Sequence, residues 1–171
     1  GPLVQILPKP ATSPTLPSAQ SGLWSPIPGL HLLDAQVTYK EADRIEPGDT
    51  FGVTLRWRST AKLSGVNFRL SLVDESGYTW FSTPCRGPVQ GLYPTFQWGP
   101  GETVHDHWEL SLPLSSPPLA YELRLEATGP EIEASSQAIG RVAVRPSGAQ
   151  YRSLPNSVTA ALVQDDLVID G

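Results

Sequence analysis

Apolar and polar residues alternate over several stretches of the chain from residue 31 onward. Between Phe51 and Trp57, every second residue is apolar, and the residues between them are small, polar or basic. Because successive side chains of a β-strand point to opposite faces, this period of two predicts strands with one buried and one solvated face. The inward positions predicted in this way are Leu33, Ala35, Val37 and Tyr39; Phe51, Val53, Leu55 and Trp57; Val66, Phe68, Leu70 and Leu72; Trp108, Leu110 and Leu112; Tyr121, Leu123, Leu125 and Ala127; and Val142 and Val144.

Turn-forming residues separate the predicted strands. Residues 46–49 (EPGD) join the first two, residues 74–77 (DESG) form a tight turn before a short strand, and residues 99–101 (GPG) precede the strand that begins at Val104. Six or seven short strands without an amphipathic helix predict an all-β fold. We expect an antiparallel, immunoglobulin-like β-sandwich with less than about a tenth of helix and with Trp57 in its core.

Proline is concentrated at the beginning of the chain. Residues 1–30 contain seven prolines, which prevent a helix or a central strand and favour an extended polyproline spacer. We therefore predict a Pro-rich N-terminal linker over 1–30 and a β-sandwich domain over 31–146. Residues 147–171 are predicted to be either the last strand of this sandwich or the start of a second repeat. Leu23, Trp24 and Ile27 could still pack onto the domain.

Composition excludes several classes of function. The net charge is −5 and the 12 basic residues are scattered, whereas a nucleic-acid interface or an anionic-lipid anchor needs a basic patch. No apolar run approaches the roughly 20 residues of a membrane helix. Cys85 is the single cysteine, so no internal disulfide forms. The lack of methionine predicts that the chain is a fragment or a processed product.

An ordered set of short motifs resembles a known class of accessory domain. The motifs are IEPGDT at 45–50, TLRW at 54–57, GLYPT at 91–95 with Trp98, PGE at 100–102 with Val104 and Asp106, LSLP at 110–113 and YEL at 121–123. This pattern, over roughly residues 30–145, is similar to β-sandwich domains appended to bacterial multi-pass membrane glycosyltransferases of the dolichyl-phosphate-mannose mannosyltransferase type. The resemblance implies a non-catalytic, extracytoplasmic module attached to a membrane or surface part.

Two histidines form the one cluster that suggests metal ligands. His105 and His107 are two positions apart on a predicted strand and therefore share a face. Glu109 or His31 could complete a site, although two solvated histidines explain the pattern as well. Adjacent carboxylates at 74–75 and 165–166 are interpreted as solvated turns rather than calcium loops. Nucleophile-elbow, phosphate-loop and zinc motifs are missing, so we predict no enzyme, no cofactor and no metal site.

Aromatic residues are concentrated between residues 78 and 98. Tyr93 and Trp98 belong to the framework motifs and are assigned to packing. Trp80 and Phe81 are adjacent on a short strand, so one should point inward and the other outward. The favoured interpretation of this ring-rich segment is that its rings cover the open end of the sandwich. Tyr78 and Trp80 share a phase and, if they face outward, are the only plausible stacking platform for a glycan. The sequence therefore favours an accessory or interaction module of a larger bacterial surface or membrane protein that contacts another protein domain, with a carbohydrate-binding module as the alternative.

Overall fold

Strands dominate the computed structural model, which describes residues 22–40 and 45–148. Strand residues make up 56% and helical residues 5% of this part, which confirms the prediction of very little helix. The two helices are single 3₁₀ turns, Val89–Gly91 and Thr95–Gln97. The strands are β1 Trp24–Ile27, β2 Leu30–Tyr39, β3 Thr50–Ser59, β4 Asn67–Val73, β5 Thr79–Ser82, β6 Thr103–Ser111, β7 Ala120–Gly129 and β8 Ile132–Ala143.

The strands form two antiparallel sheets that face each other. The first sheet has the order β1-β2-β3-β6, and the second has the order β5-β4-β7-β8. Inward side chains of both sheets share one core, in which Trp57 is completely buried. Its ring stacks on Phe68 of the opposite sheet with 4.6 Å between centroids. The predicted β-sandwich and the core position of Trp57 are confirmed, whereas the finer likeness to immunoglobulin domains stays a prediction.

The first long strand differs from the predicted alternation at its beginning. The pairing of β2 with β3 shifts between Leu32 and Asp34, which marks a β-bulge. Beyond this shift Ala35 is buried as predicted, but before it Leu30 and Leu32 are the fully buried residues and Leu33 is only half-buried. The prediction that Leu33 points inward is wrong, because the extra residue of a bulge reverses the phase of the strand.

The sandwich begins before residue 31. Strand β1 pairs with β2, and Trp24 lies 6.4 Å from Trp57 between ring centroids. Leu30, at the end of the predicted linker, is fully buried in the core. Pro26 is compatible with this strand because β1 is at a sheet edge, where a missing N–H costs no ladder hydrogen bond. The linker prediction for residues 1–21 lies outside the described residues.

The last described strand is longer than the alternation predicted. Only residues 141–145 showed a strand pattern, with Val142 and Val144 inward, and both are buried. Strand β8 begins nine residues earlier, at Ile132, and pairs with β7 along its length. The prediction of a short strand is therefore wrong. Pairing with β7 extends β8, the edge strand of this sheet, over the mostly small or polar residues 132–140. Residues 149–171, the bulk of the predicted C-terminal piece, lie outside the described residues. No helix in the described part is long and apolar enough to cross a membrane.

The long connection between β5 and β6 closes one side of the sandwich. Arg86 pairs with Phe68 of β4 through two backbone hydrogen bonds of 2.9 and 2.8 Å. Farther along, the buried hydroxyl of Thr95 donates to the carbonyl of Ser64 at 2.6 Å and accepts from the amide of Val66 at 2.8 Å. The connection is therefore fastened to the second sheet at one point and to the β3–β4 loop at another.

Candidate functional site

The turn between β4 and β5 is organised by a single carboxylate. Oδ1 of Asp74 accepts hydrogen bonds from the amides of Ser76 and Tyr78 at 2.9 and 3.0 Å and from the Ser76 hydroxyl at 2.6 Å. Its Oδ2 accepts the indole Nε1–H of Trp80 at 2.8 Å. These hydrogen bonds, that of the Ser76 side chain first, lower the pKa of Asp74 to about 2. The predicted tight turn is confirmed, and Asp74 also orients the Trp80 ring.

A β-bulge directs Trp80 to the outer surface. Leu72 pairs with Phe81 and Val73 pairs with Thr79, so Trp80 is the extra residue of β5 between these pairs. Phe81 packs against the core, whereas Trp80 is 42% exposed. The expectation that one of the two adjacent rings points inward and the other outward is confirmed. The bulge could not be predicted from the alternation, because it depends on the pairing with β4.

Tyr78 and Trp80 form an exposed aromatic pair. The Tyr78 ring is 60% exposed, and the two ring centroids are 5.0 Å apart. Their planes meet at 72°, an edge-to-face arrangement. The two predicted platform residues are therefore brought together on the surface, but they do not form a flat strip. Trp80 offers a stacking face, and Tyr78 flanks it. The hydrogen bond from the Trp80 indole to Asp74 restricts the rotation of the indole.

Tyr93 and Trp98, the two rings that the sequence assigns to packing, support the connection between β5 and β6. Trp98 is 2% exposed and donates its Nε1–H to the carbonyl of Tyr93 at 3.1 Å. Tyr93 packs against the core, and its hydroxyl donates to Glu102 at 2.8 Å. The second oxygen of Glu102 accepts the amide of Gly99 at 2.8 Å, and these bonds, that of Gly99 first, lower the pKa of Glu102. The assignment of Tyr93 and Trp98 to packing is confirmed.

His105 and His107 lie on the solvent-facing side of β6, as the alternation predicts. Both are exposed, and Nδ1 of His107 is 3.1 Å from the hydroxyl of Thr54 on β3. His31 lies near Thr60, with 3.4 Å between its Nε2 and the hydroxyl. Within residues 22–40 and 45–148, no three His, Cys, Asp or Glu side chains are placed to hold a metal ion. The carboxylates at 165–166 lie outside the described residues.

The sequence analysis did not predict a buried ionic cluster that Asp106 and Trp108 of β6 form with Arg86. Asp106 is fully buried, and its Oδ1 lies 3.2 Å from Nη1 of Arg86 and accepts the amide of Val89 at 2.8 Å. Its Oδ2 accepts the indole Nε1–H of Trp108 at 2.7 Å. The guanidinium of Arg86 lies 3.5 Å over the Trp108 ring and also donates to the carbonyl of His107 at 2.9 Å. Asp106 shares the inward phase of Val104 and Trp108, so the alternation along β6 could have indicated that this carboxylate is buried.

The chemical role of this cluster is to hold the β5–β6 connection against β6. Burial raises the pKa of Asp106, and the charge of Arg86 and the three hydrogen-bond donors offset part of that rise. Both carboxylate oxygens are occupied by donors, so neither is directed at a ligand. The amide held by Asp106 belongs to Val89, which has a positive φ of 52°, as does Gln90 at 57°. A left-handed backbone is unfavourable for a β-branched residue, so the cluster stabilises this turn.

Comparisons with known proteins identify no family for this chain. No protein-family model matches the chain, and no curated protein sequence matches it. Among solved structures, the C-terminal domain of wzt is similar with a TM-score of 0.44 and 10% identity, over 70% of this chain and 74% of that one. The putative ApaA protein from Bordetella pertussis is similar with a TM-score of 0.40 and 17% identity, over 70% of this chain and 94% of that one. These similarities are too low to identify a family or transfer a function, and the glycosyltransferase-type resemblance stays a prediction.

Proposed function

We propose that this domain is a non-catalytic interaction module of a larger bacterial protein and that it lies on the extracytoplasmic side of the membrane. The observation that carries the proposal is the exposed Tyr78–Trp80 pair, which Asp74 holds in place. Large rings that remain exposed at a fixed position are typical of contact surfaces, because they bury much area with little loss of side-chain freedom. Asp106, the fully buried carboxylate, is already engaged by structural donors and supports no catalytic role.

A saccharide is the second candidate for what this surface contacts, alongside another protein domain. The C–H groups of a pyranose pack on the face of an aromatic ring, and the Trp80 indole leaves part of its surface open to solvent. Because the two rings are nearly perpendicular, one sugar ring would stack on Trp80 with Tyr78 beside it. The Asp74 hydrogen bond favours this geometry, since a restrained ring loses less freedom on binding.

Binding to an array of oligosaccharides, followed by calorimetric titration of the best ligand, tests the saccharide candidate. Trp80→Ala should weaken binding by about tenfold or more, because the stacking face is removed. Phe96→Ala is the matched control, since Phe96 is also an exposed ring (54%) but lies on the β5–β6 connection. If Trp80→Ala binds as tightly as the unaltered domain, the aromatic pair is not the saccharide site.

A protein partner is tested with a photo-reactive amino acid. Incorporated at position 78 of the full-length protein in its own cells, it should give a discrete crosslinked product of higher mass. The same amino acid at position 96 should give none. Equal products from the two positions, or no product from either, would contradict a partner-binding role for the aromatic pair.

The extracytoplasmic location is tested with the single cysteine of this chain. Cys85 is exposed, with its Sγ 3.3 Å from the hydroxyl of Thr128. A membrane-impermeant maleimide should label it in intact cells with a permeable outer envelope, and Cys85→Ser should abolish that label on this domain. Labelling that occurs only after the cells are lysed would show that the domain lies inside the inner membrane.

A further inference from the structure

The outer face of the first sheet brings together basic residues that are scattered in the sequence. Arg56 and Arg58 point outward from β3, and both are exposed. Across the strand pairs, Arg58 faces His31 of β2 and Arg56 faces His105 of β6. Directly opposed side chains are about 5 Å apart, and the two arginines are about 7 Å apart along β3. These four residues form a diagonal band over three strands, which we call the basic strip.

Neither arginine of the basic strip is bonded to a carboxylate. The side chains of Arg56 and Arg58 make no hydrogen bond or ion pair with any residue in the described part of the chain. Asp34 pairs with Arg56 on the side of β2, but its carboxylate accepts a hydrogen bond from Nε2 of Gln36 at 3.0 Å instead. Two arginines against this one carboxylate leave an excess of positive charge on the strip, although the chain as a whole has a net charge of −5.

The arginines on the outer face of the second sheet have carboxylate partners. Nε of Arg69 lies 3.8 Å from Oε2 of Glu126, its cross-strand partner on β7. Arg124 donates to Glu122 at 2.5 Å, and Arg141 of β8 also faces Glu122 across the strand pair. Opposite charges that face each other across strands stabilise a sheet. The basic strip departs from this pattern, because each of its arginines faces a histidine, and its guanidinium groups stay available for an external anion.

The other side chains of this face narrow the class of anion. The outward positions of β3 and β6 carry no aliphatic side chain and no Phe, Tyr or Trp. A membrane-binding surface inserts apolar side chains beside its positive charges. The core of a protein interface is enriched in aromatic residues and depleted of charge, and single-stranded nucleic acids stack their bases on aromatic rings. A flat, hydrated strand surface with two free guanidinium groups instead suits a hydrated polymer with carboxylates, which arginine binds in a bidentate manner.

We propose that the basic strip binds an acidic polysaccharide, a linear chain of sugars that carry carboxylate groups. Arg56 and Arg58 pair with carboxylates of the polymer, and His31 and His105 donate hydrogen bonds to it at the two ends of the strip. The strip belongs to the sheet opposite the one that carries Trp80. The site is therefore separate from the aromatic pair and does not depend on the function proposed for that pair.

Calorimetric titration of the whole 171-residue chain tests the class of ligand. The probes are oligomers of galacturonate, mannuronate and hyaluronan, and each is compared with its methyl ester, which keeps the sugar backbone but removes the charge. At low ionic strength, at least one acidic oligomer should bind at least about tenfold more tightly than its ester. Added salt should weaken this binding, because it screens exposed charges. The proposal is overturned if none of the acidic oligomers binds, or if acid and ester bind equally well.

Two other polyanions test the choice of a saccharide. An oligothymidylate with the same number of charges and vesicles that contain phosphatidylglycerol should both bind more weakly than the best acidic oligomer. Tighter binding of the oligothymidylate would assign the strip to nucleic acid, and tighter binding of the vesicles would assign it to a membrane surface. Either result would overturn the proposal.

Matched variants locate the site on the strip. Arg56→Gln and Arg58→Gln should each weaken the binding of the best acidic oligomer by about fivefold or more. Arg69→Gln, on the outer face of the second sheet, is the control and should change the affinity by less than about twofold. Asp34→Asn should strengthen binding by about twofold or more, because it removes the negative charge beside Arg56. Binding that survives both arginine variants, or that is lost in Trp80→Ala, overturns the assignment to the basic strip.

Discussion

Asp106 and Trp108 both point inward from β6, and the carboxylate of Asp106 accepts the indole N–H of Trp108 at 2.7 Å. The Arg86 guanidinium lies over the Trp108 ring, 3.5 Å from its centre, and its Nη1 is 3.2 Å from Oδ1 of Asp106. The indole is thus held by its N–H from one side and covered by a cation from another. This relationship explains how a carboxylate is accommodated in a largely apolar interior, since a buried charge requires both pairing and hydrogen bonding.

Replacing Asp106 should destabilise the domain. Asp106→Asn keeps the size of the side chain but removes the charge that pairs with Arg86 and replaces one acceptor with a donor. We expect the free energy of unfolding to fall by about 2–3 kcal/mol, measured by urea denaturation. Asp34→Asn is the control, because Asp34 lies on the outer face of β2 and, among the residues that the structure describes, its side chain bonds only the nearby Gln36, at 3.0 Å. A loss no larger than that of the control would show that the cluster contributes little to stability.

Truncating Trp57 should be among the most damaging changes in the core. The ring is fully buried between Trp24 and Phe68, so Trp57→Ala should lower the free energy of unfolding by about 3–5 kcal/mol. The Trp57 Nε1–H has no hydrogen-bond partner among the described residues. Trp57→Phe should therefore cost clearly less than Trp57→Ala, because it sacrifices volume but no hydrogen bond. Equal losses for the two variants in urea denaturation would contradict this account of the site.

The hydroxyl of Thr95 should contribute more to the stability of the domain than its methyl group does. It joins the β5–β6 connection to the β3–β4 loop by donating to Ser64 and accepting from Val66. Thr95→Val leaves both backbone groups without this partner and should cost about 1–3 kcal/mol in chemical denaturation. Thr95→Ser retains the hydroxyl and should cost less. The explanation fails if Val is tolerated as well as Ser.

The contribution of Asp74 to stability should depend on pH. Its folded-state pKa of about 2 is below the ordinary value of 3.8, so its charged form stabilises the folded state. The stabilisation is complete above about pH 3.8 and is lost as the pH falls toward about 2. The unaltered domain should therefore melt at a higher temperature than Asp74→Asn at neutral pH, and the two melting temperatures should converge near pH 2.

A pH titration of the side-chain carboxyl carbon of Asp74, followed by ¹³C NMR, tests the physical cause of its lowered pKa. Because the hydrogen bond from the Ser76 side chain contributes most to the lowered pKa, Ser76→Ala should raise the Asp74 pKa toward 3.8. A titration midpoint that is unchanged in Ser76→Ala would mean that the turn geometry described for residues 74–80 does not control this carboxylate.

Sequence alternation was sufficient to predict most of the core. The inward phase of β3, β4, β6 and β7 follows from the geometry of an extended backbone, in which each second side chain shares a face. Trp57, Leu70 and Leu123 could therefore be placed in the core without knowing which strands pair. The same local rule predicted that Trp80 and Phe81 point to opposite faces of the sheet, but it did not decide which of the two rings points outward.

Only the tertiary structure decided the features that depend on distant partners. The bulge between Leu32 and Asp34 and the full length of β8 come from pairing with a neighbouring strand, which overrides the local pattern. The ion pair of Arg86 with Asp106 joins residues 20 positions apart, and the hydrogen bond from Thr95 to Ser64 joins residues 31 positions apart. A periodic pattern specifies the face on which a side chain lies. Which side chains meet on that face is specified by strand order and register, because these bring residues together regardless of their separation along the chain.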